Sequence, residues 1–175
     1  MSCSMQRQLR NPVPNVSLFE ESKTFTDSLI ANGVDTILVY HKQHGMYLRS
    51  YYIFWKGEQL EVRLINENGI FNLNSWDMVG LYRNERLFEF YQKHEKELNQ
   101  STIPEASISH YPYVDIAVII DPKLLELHLP WGVISSFDSS PYQFARLIES
   151  ILFNIEQSTY WEKDEKNVLL KNSKN

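Results

Sequence analysis

A single cysteine, Cys3, serves a chain of 175 residues, so one chain can build neither an internal disulfide nor a Cys-based zinc site. Glycine is scarce at 6 residues, and none falls into a GxGxxG or GxxxxGKS/T phosphate loop. There is no G-x-S-x-G elbow, and Cys3, in a polar head, is poorly placed as a nucleophile. No stretch interleaves Lys and Arg with aromatics. The net charge of −5 opposes the basic stripe that nucleic-acid phosphates would require. The opening MSCSMQRQLRNPVPN has no long apolar run, so neither a signal peptide nor a membrane span is expected there. A cytoplasmic location follows as the expectation. No cofactor is expected.

What is present is apolar and aromatic. Hydrophobic residues make up 43% of the chain, enough for one domain with a real core. The aromatic share is 13%, with 10 Tyr, 9 Phe and 4 Trp. Large aromatics fill cores, but Tyr and Trp also favour contact surfaces where one edge stays wet. That excess points mildly towards a binding protein.

The most hydrophobic stretch is Val114 to Trp131, VDIAVIIDPKLLELHLPW, which reads as two strands around Asp121-Pro122-Lys123-Leu124. A four-residue loop there pairs Ile120 with Leu125, Val118 with Leu127, Ile116 with Leu129 and Val114 with Trp131. Side chains alternate along a strand, so those eight residues share one face. A loop one residue shorter would set Val118 against Glu126 and spoil that wall. The opposite face then carries Asp115, Ala117, Ile119, Glu126 and His128.

Around this hairpin the chain falls into order. Residues 1–15 read as a disordered head, 16–163 as one domain and 164–175 as a frayed tail. Ser17 and Glu20 make a capping box for a first helix, which Asn32-Gly33 stops. Val34 to His41, Tyr47 to Trp55 and Glu58 to Ile65 read as strands, and Ile70 to Leu73 as a short fourth. An even loop at Lys56-Gly57 pairs Ile53 with Leu60 and Tyr51 with Val62 as the core face. A second helix after Asn84 carries Leu87, Tyr91, His94 and Leu98 on one stripe. Gln100 to Pro112 is a polar loop. Ser140-Pro141, with Gln143, opens a last helix with Phe144, Ile148, Ile151, Leu152 and Ile155 as its core stripe. The expected fold is α+β: an antiparallel sheet of five or six strands in the order α-β-β-β-(β)-α-β-β-α.

Candidate chemistry is thin. His41-x-x-His44 could bring two imidazoles to one ion, but the turn supplies no Cys, Asp or Glu to complete a zinc site, so no metal is expected. His128 shares a face with Asp115 and Glu126, and an imidazole near carboxylates can move protons. An acid–base enzyme would need a cleft around it. The ordinary reading is a surface histidine; His94 and His110 have no evident partner. Surplus apolar surface is the stronger signal. Tyr52 and Phe54 fall opposite the expected core face, and Tyr142, Phe153 and Tyr160 fall opposite the stripe of the last helix. They are explained either by helices covering both sheet faces or by a contact with another molecule, for which Tyr52, Phe54, Phe153 and Tyr160 are the candidates.

The stretch VDIAVIIDPKLLELHLPWGVISSFDSSPYQFARLIESILFNIEQSTYW resembles the class I type III secretion chaperones and the related bacterial sensory-regulator family. Asp121-Pro122, Leu129-Pro130, Phe144, Leu147, Ile151 and Trp161 carry the likeness, mainly within residues 113–161. The long polar loop and the first helix, which lacks a Leu-rich, Gly-containing pattern, depart from it. The resemblance implies a non-enzymatic homodimer that holds an extended segment of a protein partner on apolar sheet and helix patches, with strand addition at an open edge as a further device. Two rivals stand beside it: an immunity-type inhibitor whose acidic surface neutralises a basic toxin, and the small enzyme using His128.

Overall fold

The structure, a computed structural model, describes residues 16–44, 48–56, 60–74, 85–100, 113–120, 123–130, 137–158 and 160–163. Its elements run α1 (Val16–Ala31), β1 (Ile37–His44), β2 (Leu48–Lys56), β3 (Leu60–Asn66), β4 (Gly69–Asn74), α2 (Glu85–Gln100), β5 (Tyr113–Ile120), β6 (Lys123–Pro130), α3 (Ser140–Ser158) and β7 (Tyr160–Lys163). The strands form one sheet in the order β6-β5-β1-β2-β3-β4-β7, and every neighbouring pair is antiparallel. This is the expected α+β fold with its fourth strand present. One strand more, β7, comes from a stretch assigned above to the last helix.

Strands β1 to β4 form a meander. The chain then returns through α2 to lay β5 on the other side of β1, folds β6 back along it, and returns through α3 to β7 at the far edge. Both helices lie on one face, and a single apolar cluster records it. Leu38, Tyr40, Tyr52, Phe54, Val62, Leu64, Val114, Ile116, Val118, Leu125, Leu127 and Leu129 meet Leu87, Tyr91 and Leu98 of α2 and Phe144, Ile148, Ile151, Leu152 and Ile155 of α3. The helix stripes read from spacing are thus the buried ones, apart from half-buried His94.

The other face has one helix. α1 packs on β2 and β3, where Leu29, Phe25 and Ile30 meet Tyr51, Ile53, Ile65, Ile70 and Ile37. It ends where expected. Gly33 takes φ 81°, a region that favours glycine, while Gly33 N–H bonds to Ile30 C=O at 2.9 Å and Val34 N–H to Leu29 C=O at 3.1 Å. That is the Schellman pair of bonds, closing off carbonyls the helix would leave bare.

Several registers and placements differ from expectation. The β5–β6 connection is two residues, not four, so Ile120 faces Lys123, Val118 faces Leu125, Ile116 faces Leu127 and Val114 faces Leu129. A shift of two keeps parity, so the wall stays buried although its partners change; Trp131 lies outside the described residues. In β2–β3 the connection is odd: Lys56 faces Leu60, Phe54 faces Val62 and Ile53 faces Arg63. Tyr52 and Phe54 therefore turn towards α2 and α3, at 5% and 0% exposure, and are core rather than a contact surface. Tyr142 is likewise buried, at 1%. Because α3 stops at Ser158, Tyr160 belongs to β7 and not to a helix face. Of the four proposed contacts only Phe153, 62% exposed, is shown on the surface.

Candidate functional site: the open half of the sheet

α1 packs on β2 and β3 and shares a cluster with Ile37, fully buried at the start of β1, while the same face over the rest of β1 and over β5 and β6 has no described helix above it. The registers set its residues in rows. Ile37, Ile119 and Leu124 form one row, Val39, Ala117 and Glu126 the next, then His41, Asp115 and His128. Leu124 is 57% exposed, Glu126 is exposed, and Ala117 and Ile119 are half-buried.

The third row is a hydrogen-bonded chain. Asp115 Oδ2 accepts from His41 Nδ1 at 2.8 Å, and Asp115 Oδ1 accepts from His128 Nδ1. An ionised carboxylate only accepts, so both Nδ1 atoms carry protons and both Nε2 atoms face away from Asp115. Each ring is stacked as well: His41 on Tyr51 at 4.3 Å and His128 on Tyr113 at 4.3 Å. Burial works against the Asp115 charge, but the hydrogen bonds from His128 and His41 and their electrostatic attraction outweigh it and hold the carboxyl at about 2.

The two imidazoles differ in exposure. The His41 side chain is 13% exposed, and its Nε2 is buried with no hydrogen-bond partner among the described residues. The His128 side chain is 53% exposed, so its Nε2 is presented outwards in a fixed orientation. That dyad could serve as a general base, yet nothing described encloses it. A cleft of about 380 Å³ opens elsewhere, lined by Gly33, Val34, Asp35, Thr36, Lys56, Phe88, Glu89 and Gln92. Among the described residues no three His, Cys, Asp or Glu side chains converge as metal ligands. His41 turns to Asp115 rather than to an ion; the His44 side chain and His110 lie outside the description.

A second polar cluster sits on the opposite face. Tyr40, fully buried, donates its hydroxyl to Glu149 of α3, and Lys42 Nζ donates to the other carboxylate oxygen at 2.8 Å. Burial, then the charge and hydrogen bond of Glu149, push the Tyr40 phenol far up. This cluster ties α3 to β1 through the buried Tyr40, with Lys42 and Glu149 only partly exposed. A surface tie links the helices to each other, since Glu97 of α2 accepts from His94 at 2.9 Å and from Ser140 of α3. Ser140 therefore does not cap its own helix as expected, and Gln143 donates instead to Asp138 C=O at 2.7 Å.

Sequence reading placed Asp115 and His128 on one face but set His128 against Ala117; the shorter connection sets it against Asp115. His41 was missed as their partner. Alternation could not find it, because it depends on which strand flanks β5. Comparison with protein-family models, curated proteins and solved structures finds no match to the chain.

Proposed function

We propose that the protein is a non-enzymatic, cytoplasmic protein-binding module, of the kind the secretion-chaperone resemblance suggests, with its contact surface moved from Tyr52 and Phe54 to the open half of the α1-side face. One observation carries this reading: at β6 that face presents Leu124, 57% exposed, beside acceptor groups, with Ile119 half-buried at the edge of the α1-side cluster. Asp115 and Glu126 both accept hydrogen bonds, so the matching occupant brings donors and positive charge. A protein segment with Lys or Arg alternating with apolar residues fits, because alternate side chains of an extended chain meet the strip in one plane. The enzyme reading is less favoured, because no cleft encloses the half-exposed His128 among the described residues. The inhibitor reading shares the same electrostatics but takes a folded basic partner.

The test is titration of the full chain with extended peptides of alternating basic–apolar and acidic–apolar pattern, followed by amide shifts. Binding of the basic series alone, with shifts centred on Asp115, Leu124, Glu126 and His128, supports the reading. Binding only by folded basic proteins, lost steeply with salt, moves the assignment to an inhibitor. Absence of both, or shifts centred on Phe153, removes it.

A further inference from the structure

The open strip ends at β6, which has a described neighbour, β5, on one side only. Ile120 and Lys123 pair directly across a two-residue connection, and the pair that closes so short a hairpin is a hydrogen-bonded one. Bonded and non-bonded pairs alternate from there, so Leu125, Leu127 and Leu129 bond to β5. The backbone groups of Leu124, Glu126, His128 and Pro130 then point to the free side. Three of these four residues still have an N–H to give. Their side chains share one face, where Leu124, Glu126 and His128 are exposed and Pro130 is buried.

The geometry points to a second copy of this chain as the partner of that edge, with β6 pairing antiparallel to β6 about a two-fold axis at Leu127. Keeping the covered faces on one side leaves few registers. With Glu126 opposite itself, two carboxylates collide, and like charges directly opposite are destabilising. With His128 opposite itself, Pro130 falls against Glu126 and interrupts the ladder. With Leu125 opposite itself, Glu126 meets Leu124 and His128 is left outside. With Leu127 opposite itself, each Glu126 faces the other copy's His128, and each Leu125 faces the other copy's Leu129 beneath the helices. Each Glu126–His128 pair exchanges both backbone bonds. At either end Leu124 N–H meets the Pro130 carbonyl, and only the Leu124 carbonyl, at the end of the ladder, is left to water for want of a proline N–H.

The side chains make the same choice. Asp115 holds His128 by Nδ1, which turns Nε2 away from β5 and towards the free edge where the other copy's Glu126 stands. The seam becomes carboxylate–imidazolium–carboxylate, with His128 Nδ1–H donating to Asp115 and Nε2–H to the other copy's Glu126, repeated by the two-fold. The two open strips join into one surface. The pairing itself is independent of the proposed function, which supplies only what that joined surface is for.

Sedimentation equilibrium of the full chain, from about 1 µM to about 500 µM, reads the association. The wild type is expected to be a monomer–dimer equilibrium. Glu126→Lys alone and His128→Glu alone each weaken it by about tenfold or more, since each sets unfavourable charges opposite one another twice. Mixing the two variants restores it, because the introduced lysine of one copy then faces the introduced glutamate of the other, while the remaining native His128 and Glu126 still face each other. Leu124→Pro removes an edge donor without touching the bonds to β5 and also weakens association, while thermal melts of all variants check the fold. A wild type monomeric throughout, a His128→Glu protein that associates like wild type, or a mixture that fails to pair overturns the assignment. Peptide titration of the wild type at about 1 µM, the dilute end of the association curve, tests the proposed function separately.

Discussion

Removing the Asp115 carboxylate should cost stability chiefly through His41, not through the more exposed His128. In Asp115→Ala, His41 Nδ1–H loses its acceptor inside a pocket where Nε2 already has no partner. A buried donor left unsatisfied costs about 1–3 kcal/mol. His128 is half exposed, so water replaces its bond at about 0–1 kcal/mol. The sum is about 2 kcal/mol. Asp115→Asn should cost about half as much, because the carboxamide oxygen still accepts from His41 while His128 can change tautomer to meet the amide. The pH dependence has a definite sign. The carboxyl is depressed from 3.8 to about 2 in the fold, so its contribution is complete above the unfolded value and is lost as pH falls through that window. The carboxylate is 47% exposed, so solvent screening limits that contribution to about 1 kcal/mol. Urea unfolding at pH 7 and at steps from pH 4 to pH 2 reads both effects, and imidazole nitrogen shifts read the tautomers. Equal losses for the Ala and Asn variants, or a wild type that parallels Asp115→Asn across the acid window, would refute the account.

Two further substitutions bear on the fold beneath the site. Glu149→Ala leaves the buried Tyr40 hydroxyl without its acceptor and the Lys42 ammonium without this partner, and should cost about 2–4 kcal/mol in urea unfolding, against about 1 kcal/mol for Tyr40→Phe. Phe54→Ala should cost about 3–5 kcal/mol and Phe153→Ser less than about 0.5 kcal/mol, since one is fully buried and the other 62% exposed.

The contrast between the two hairpins shows what alternation can and cannot carry. In β5–β6 the apolar residues stand at every second position and polar ones fill the gaps, so the buried face was legible. Parity alone was specified, however, and the pairing fell two residues away. In β2 the run Tyr51, Tyr52, Ile53, Phe54 is apolar throughout and buried throughout, at 5% exposure or less. A strand covered on both sides gives no alternation, so the face rested on loop parity, and the odd connection reversed it. The helix stripes were easier, since their polar faces meet water and the period is unambiguous. His41 belongs to a third kind of information. Its meeting with Asp115 requires β5 to dock against β1, across about seventy residues of chain, and no local pattern encodes that.

The open strip follows from how many helices each face receives. Strands stand about 4.8 Å apart, so seven of them span about 29 Å, while a helix with its side chains covers about 10–12 Å. Two helices, α2 and α3, suffice for most of one face; the single helix α1 can roof only the neighbourhood of β2 and β3. Among the described residues no further helix lies over β5 and β6 on the other face. The aromatic residues that suggested a contact surface are largely in the interior, with Tyr40, Tyr52, Phe54, Tyr142 and Phe144 among the most buried side chains. The strip instead carries Asp115, Glu126 and His128 between Leu124 and Ile119, a mixture too polar for a closed core. The aromatics are thus accounted for by a sheet covered on both faces at β2, and the case for a partner passes from them to three polar side chains at the sheet's uncovered end.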